Sequence, residues 1–307
     1  MFLLVGEPSD MCIRQVSEML HDAGDDARVV SPATIIAHGF AWYEGGTSPQ
    51  QAMLRLVDGA GGRLEGILLR HLWFGRCLQF PNNEDQQYAD YETSTGLSAL
   101  FAAIALPVIN RPHFAYPIME HYTPLDLGDI LHANDLASQE MLVTTRLAMA
   151  LDFVRKNEGQ ALVSSIFDPT ARIAVTLAEA EAEFISLLQH GPVCLSQRLK
   201  ATAVRAFVVD NQVYAERAVQ PWLPKQHTVD RALTQFVPVV LPPDLSAQCC
   251  GVTTLLGLTF GQLSLAETVD GQYICCGVSP LPDYSMCQAA TQSAITHALI
   301  RILKQVE

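Results

Sequence analysis

The stretch from Pro243 to Tyr284 constrains this chain most, because it prescribes four consecutive elements. Asp244 offers a cap for a helix that Gly257 ends, and the apolar runs 259 to 266 and 272 to 278 flank Asp270-Gly271. Such a pair between apolar runs specifies a hairpin, since glycine supplies the positive φ that tight turns need. The stretch therefore reads helix, strand, turn, strand.

The opening is equally legible. Phe2 to Val5 reads as a strand, Cys12, Val16, Met19, Leu20 and Ala23 recur at helical spacing until Gly24, and Ala27 to Val30 reads as the next strand. Its Gly6-Glu7-Pro8 turn lacks G-x-G-x-x-G, which argues against a dinucleotide site. Ser48, Pro49 and Gln51 start a helix to Val57, and Ile67 to Trp73 forms a strand that carries Arg70 and ends near Arg76. A helix from about Asp85 to Ala105 and a strand from Pro107 to Asn110 follow. The aromatic and proline-rich segment from His113 to Asp129 reads as irregular, with a helix from His132 to Ser138 after it. Val193 to Gln197 reads as a strand. Thr176 with Glu179 is a capping box for a helix showing Ala180, Phe184, Leu187 and Leu188 on one face. Ala203 to Val209 and Gln212 to Val219 pair around Asp210-Asn211, and Ser285 to Ile302 closes the chain as a helix.

Composition narrows the function. At 307 residues the chain has room for two or three subdomains, and a net charge of −13 works against nucleic acid, which is bound by neutralising phosphates. No apolar run reaches the length of a membrane span and the start lacks a secretory signal, so a cytoplasmic location is expected. The eight cysteines include no C-x-x-C pair, and neighbours such as Cys275-Cys276 point to opposite faces of a strand, so buried reduced thiols are expected. Lysine is scarce: Lys156, Lys200, Lys225 and Lys304 are the whole set.

The helix, strand, Asp-Gly hairpin and Val-Ser-Pro exit resemble the end of an ATP-grasp ligase. The family's first strand reads roughly Gly-Leu-x-x-Gly-x-x-Asp-Leu and its second ends Glu-Val-Asn-Pro; here those places hold Gly257-Leu258, Gly261, Ser264-Leu265 and Gly277-Val278-Ser279-Pro280. Gln197, Arg205 and the Asp210-Asn211 hairpin resemble the Gln-x-x-Ile, Asp-Ile-Arg-Val and Val-Val-Gly-Asp segments, with Ala203 in the Asp place. Arg70 to Trp73, the helix around Glu92, and Val108 to Pro112 resemble the N-terminal region of the RimK-like ligases that macrocyclise ribosomal peptides. Asp230-Arg231 suggests that group's Asp-Trp-Arg segment.

The resemblance implies an α/β, ATP-grasp-like fold. Its blocks would be a β-α-β pre-ATP-grasp domain at 1–112, a small middle subdomain at 113–190, and a C-terminal antiparallel sheet with helices at 191–307. It also implies two ATP-binding lysines and Asp, Glu and Asn ligands for Mg²⁺. Asp126 to Asp129, and Ser164 with Ser165, stand where the lysines belong, and Ser264, Gly277 and Ser279 stand in the metal places. The expected function is therefore that of a catalytically degenerate binding or scaffold protein, for a peptide or a partner enzyme, with no metal and no cofactor. The alternative is an active carboxylate-amine ligase using ATP and Mg²⁺, with Arg205 on the acyl phosphate, Gln197 near the adenine and Asp283 recruiting metal. Lys200 is the one lysine near the nucleotide cleft, or else a solvated loop cation. Arg205 either meets an anionic ligand or pairs with Glu216 across its hairpin, because an unpaired buried guanidinium is costly. Arg70 and Arg76 share that ambiguity, His71 and His113 read as packing or rim residues, and a homodimer is expected by resemblance.

Overall fold

A computed structural model describes residues 1–31, 34–35, 64–70, 82–112, 122–164, 172–220 and 235–305. The expected helix at 48–57, and His71, Trp73, Arg76, His113, Ser165 and 227–231, lie outside them. In chain order the elements are β1 (Phe2–Val5), α1 (Met11–Asp22), β2 (Ala27–Val30), β3 (Gly66–Leu69), α2 (Asn83–Ala103) and β4 (Val108–Ile109). Then come α3 (Pro124–Ala133), β5 (Ala137–Ser138), β6 (Met141–Thr144), α4 (Leu147–Lys156), β7 (Gln160–Ser164), β8 (Arg172–Thr176) and α5 (Leu177–Leu188). The last are β9 (Val193–Gln197), β10 (Ala201–Val209), β11 (Gln212–Ala218), β12 (Phe236–Val239), α6 (Pro243–Leu255), β13 (Phe260–Thr268), β14 (Tyr273–Ser279) and α7 (Ala289–Leu303).

The chain divides into two compact units. The first comprises Met1–Ile118, Leu256–Phe260 and Pro280–Glu307. Its parallel sheet has the order β2-β1-β3-β4, and β1 is buried along its whole length, as a parallel strand covered on both faces must be. Asp10 caps α1, its Oδ1 accepting from the amides of Cys12 at 2.8 Å and Ile13 at 3.2 Å. The helix then buries Cys12, Ile13, Val16 and Leu20 and stops before Gly24, whose φ of +80° only glycine adopts without strain. Leu3, Val5, Ile67, Leu97, Leu100 and Phe101 share one core, and each such side chain contributes roughly 1.5–3 kcal/mol when fully buried. Arg111 closes α2: its Nη1 donates to the carbonyls of Phe101, Ala102 and Ile104, acceptors that a helix end leaves open. Asn110 joins remote segments of this unit. Its Nδ2 donates to Phe260 O at 2.6 Å and Pro280 O at 2.7 Å, while Phe260 N donates to its Oδ1 at 2.7 Å.

The second unit comprises Met119–Leu255 and Gly261–Ser279 and holds two sheets. The smaller has the order β6-β9-β7-β8, all antiparallel, with Ala150, Phe153 and Val154 of α4 and Ala180 and Phe184 of α5 packed against Ala161, Val163, Val175 and Leu195. The capping box at Thr176 is formed, its Oγ1 donating to Glu179 Oε2 at 2.7 Å. The larger has the order β12-β11-β10-β13-β14-β5, with β10–β11, β11–β12 and β13–β14 antiparallel and β5 parallel to β14. Gly251 of α6 meets Asn134 at the end of α3 so closely that a Cβ there would lie 1.9 Å from its Oδ1.

Two local expectations are corrected. The segment before residue 129 contains a helix, α3, whereas Ala137–Ser138 is strand. Thr123, Pro124 and Asp126 set its start: Asp126 Oδ2 accepts from Thr123 N and Oγ1, both at 2.7 Å, and proline suits the first turn because no amide is needed there. Asp126, Leu127, Gly128 and Asp129 are thus helical residues. Asp244 lies inside the first turn of α6 rather than before it, where a negative charge still favours the helix N-terminus. The β13–β14 hairpin expected around Asp270-Gly271 is present and closes with Gly271 N donating to Thr268 O at 3.0 Å and Gly271 at φ +76°.

Candidate functional site

The two hairpins of the larger sheet carry the side chains singled out from the sequence. In the β10–β11 register Arg205 faces Glu216 and Val204 faces Arg217. In β13–β14, Gln262 faces Ser279 and Ser264 faces Gly277. Successive residues point to opposite sides of a sheet, so Arg217 shares a side with Val204, and Glu267 shares one with Leu263 and Leu265. Arg217 Nε and Glu267 Oε2 are 2.6 Å apart across the intervening β10, which puts those two sets on the same side. Arg205, Glu216, Gln262, Ser264, Gly277 and Ser279 therefore share the other side. Glu267 stands opposite Ser264 in facing, as period-two alternation requires.

Arg205 pairs with Glu216, Nη2 to Oε2 at 2.8 Å, with the carboxylate fully buried and the guanidinium side chain 17% exposed. Its Cζ also lies 3.9 Å from the ring centroid of Phe236 on β12 and 5.9 Å from that of Phe207. Stacking on an aromatic face is a favourable place for a weakly hydrated guanidinium. A register shift falls between Ser264 and Leu265, which pair with Gly277 and Cys275, so Cys276 is an extra residue bulged out of β14. Gly277, next to it, has φ +151°, a conformation essentially restricted to glycine.

The remaining expected site residues lie elsewhere. Gln197 ends β9, its amide donating to Glu140 O at 2.8 Å and its carbonyl accepting from Gln139 Nε2 at 2.7 Å. Lys200 is 79% exposed and pairs with Glu158 at 2.8 Å. Asp283, in the other unit, accepts from Ser285 N at 2.9 Å. Arg70 is nearly buried and pairs with Asp10 through Nε at 3.1 Å. Sequence reasoning missed Gln262 and Phe236; the first could have been found from its two-residue spacing to Ser264. Among the described residues no group of three or more His, Cys, Asp or Glu side chains is placed to hold a metal ion, and no helix is long and apolar enough to cross a membrane.

A parallel N-terminal sheet, a small antiparallel sheet backed by two helices, and a larger sheet ending in the β13–β14 hairpin constitute the ATP-grasp fold, in the form found in RimK-like and ribosomal-peptide macrocyclising ligases. No family model and no curated protein matches the chain. Among solved structures, the ATP-grasp ligase PsnB complexed with minimal precursor is 20% identical, with a TM-score of 0.76 over 98% of both chains. The macrocyclase MdnC from Microcystis aeruginosa, bound with precursor peptide MdnA, is 15% identical with a TM-score of 0.77 over 100% of both. A RimK domain ATP-grasp protein from Sphaerobacter thermophilus is 18% identical, with a TM-score of 0.59 over 97% of both.

Proposed function

We propose that this chain is a binding or scaffold protein built on the ATP-grasp fold, which holds a peptide or a partner enzyme without carrying out ligation. The observation that supports it most is the content of the shared face of β10, β11, β13 and β14. Where the resemblance implies an acidic residue, Gly277 offers no side chain and a backbone that suits glycine alone. Its neighbours there are the hydroxyls of Ser264 and Ser279 and the amide of Gln262. Mg²⁺ usually takes one or two carboxylates, and phosphoryl transfer depends on positioning and neutralising phosphate charge. Among the described residues shown to share that face, Glu216 is the carboxylate, and it pairs with Arg205. The donor set therefore does not fit a metal-bound triphosphate.

A peptide is favoured as the bound species because PsnB and MdnC are solved with precursor peptides, and the fold is theirs. Self-association and a cytoplasmic location complete the reading. The test is an assay of ADP release from ATP with and without Mg²⁺, beside calorimetric titration of the nucleotide. The expected result is no Mg²⁺-dependent ADP release; sustained release that depends on Mg²⁺ overturns the reading.

A further inference from the structure

The Arg205–Glu216 pair sets which ligand groups the shared sheet face accepts. A guanidinium stacked on Phe236 and partly open to solvent is by itself an anion receptor, able to give two parallel hydrogen bonds to a carboxylate or phosphate. Here the opposite residue of the hairpin register supplies an anion from within the protein. Glu216 is fully buried and its Oε2 lies 2.8 Å from Arg205 Nη2. From this pair an incoming anion would gain one attraction and meet one repulsion at similar distances, so the pair itself offers it little net Coulomb attraction. The other residues shown to share this face, Gln262, Ser264, Gly277 and Ser279, carry no charge.

We infer that Glu216 is a built-in counter-anion that cancels Arg205, so that the group seated on this face is an uncharged, hydrogen-bonding stretch of polypeptide and not a phosphate or carboxylate. This deepens the binding reading above and rests on it, but it can fail separately. Glu216 is then a specificity-determining residue, and removing its charge should convert the face to anion binding.

The probe is inorganic pyrophosphate, titrated without divalent metal at constant ionic strength into wild type, Glu216→Gln and Arg205→Gln/Glu216→Gln. Glutamine keeps the shape and an acceptor for the guanidinium while removing the charge. Glu216→Gln should bind pyrophosphate at least about tenfold more tightly than wild type, and its melting temperature should rise with pyrophosphate concentration, because a ligand of the native state stabilises it. The double variant should lose that gain. Equal affinity in wild type and Glu216→Gln overturns the inference, as does a gain that survives loss of Arg205. If Glu216→Gln does not fold, Glu216→Met, which removes the charge at similar volume, decides the matter: pyrophosphate affinity above wild type is expected, and unchanged affinity overturns the inference. Mg²⁺-dependent ADP release would overturn the proposed function and this inference with it, whereas a Glu216→Gln chain without gain would overturn this inference alone.

Discussion

Replacing Asn110 by alanine should be among the most damaging single changes in the N-terminal unit. The side chain is buried, at 2% exposure, and its amide makes three hydrogen bonds of 2.6 to 2.7 Å to Phe260 N, Phe260 O and Pro280 O. A net hydrogen bond contributes roughly 0.5–1.5 kcal/mol, and each buried group left without a partner costs roughly 1–3 kcal/mol. Removing three bonds at once should cost about 3–5 kcal/mol, a large share of the roughly 5–15 kcal/mol by which a domain is stable. Urea unfolding reads this as a lower midpoint at unchanged slope. Asn110→Asp separates the hydrogen-bond argument from a packing argument. Aspartate has the same shape, yet when ionised it donates nothing and would face two carbonyls, so at neutral pH it should be at least as damaging as alanine. Burial raises such a carboxyl's folded pKa, so its penalty should shrink as pH falls toward the unfolded value of about 3.9. A loss below about 1 kcal/mol for alanine, or a better tolerated aspartate at neutral pH, refutes the account.

Two further outcomes are expected. Burial is the main force pushing the Cys12 thiol up to about 11 and the Cys249 thiol up to about 12. An unfolded thiol titrates near 8.5, so the folded chain keeps protons that the unfolded chain loses. Their contribution is complete below about pH 8.5 and is lost as pH rises toward 11 and 12; urea midpoints should fall across that window, less steeply in Cys12→Ala/Cys249→Ala, and equal slopes count against it. Gly277→Glu, which would restore the acidic residue implied by the resemblance, places a Cβ on backbone at φ +151° and should cost ~1–3 kcal/mol in urea unfolding; an unchanged midpoint shows that the bulge relaxes freely.

What could be read from sequence was what is local. The β-α-β opening, the Thr176–Glu179 capping box and the Asp210-Asn211 hairpin each depend on residues a few positions apart, and each is present. The hairpin register also made Glu216 a candidate partner for Arg205 before any coordinates. The helix at Pro124 carried its own start signal in Thr123-Pro124-Leu125-Asp126, masked by the aromatic and proline-rich flank. Asn110 could not have been read this way, because its partners lie 150 and 170 residues away. Nor could the bulge at Cys276, which alternation treats as one more strand residue.

Gly277 and Glu216 act on different parts of the same face, and their combination argues against simple loss of a few side chains. A buried arginine–glutamate pair is weak evidence for stability, since apolar residues of similar volume are often as good or better. Its physical consequence here is to set a carboxylate against Arg205 while keeping the guanidinium stacked on Phe236. The bulge at Cys276 and the φ of Gly277 alter the backbone itself, so a metal ligand could not be reinstated there by a side chain alone. Restoring charge at Arg205 would leave the metal position unbuilt, and rebuilding that position would leave Arg205 occupied. Under the proposed function, two separate changes, at Gly277 and at Glu216, would therefore be needed for this face to fit a metal-bound triphosphate.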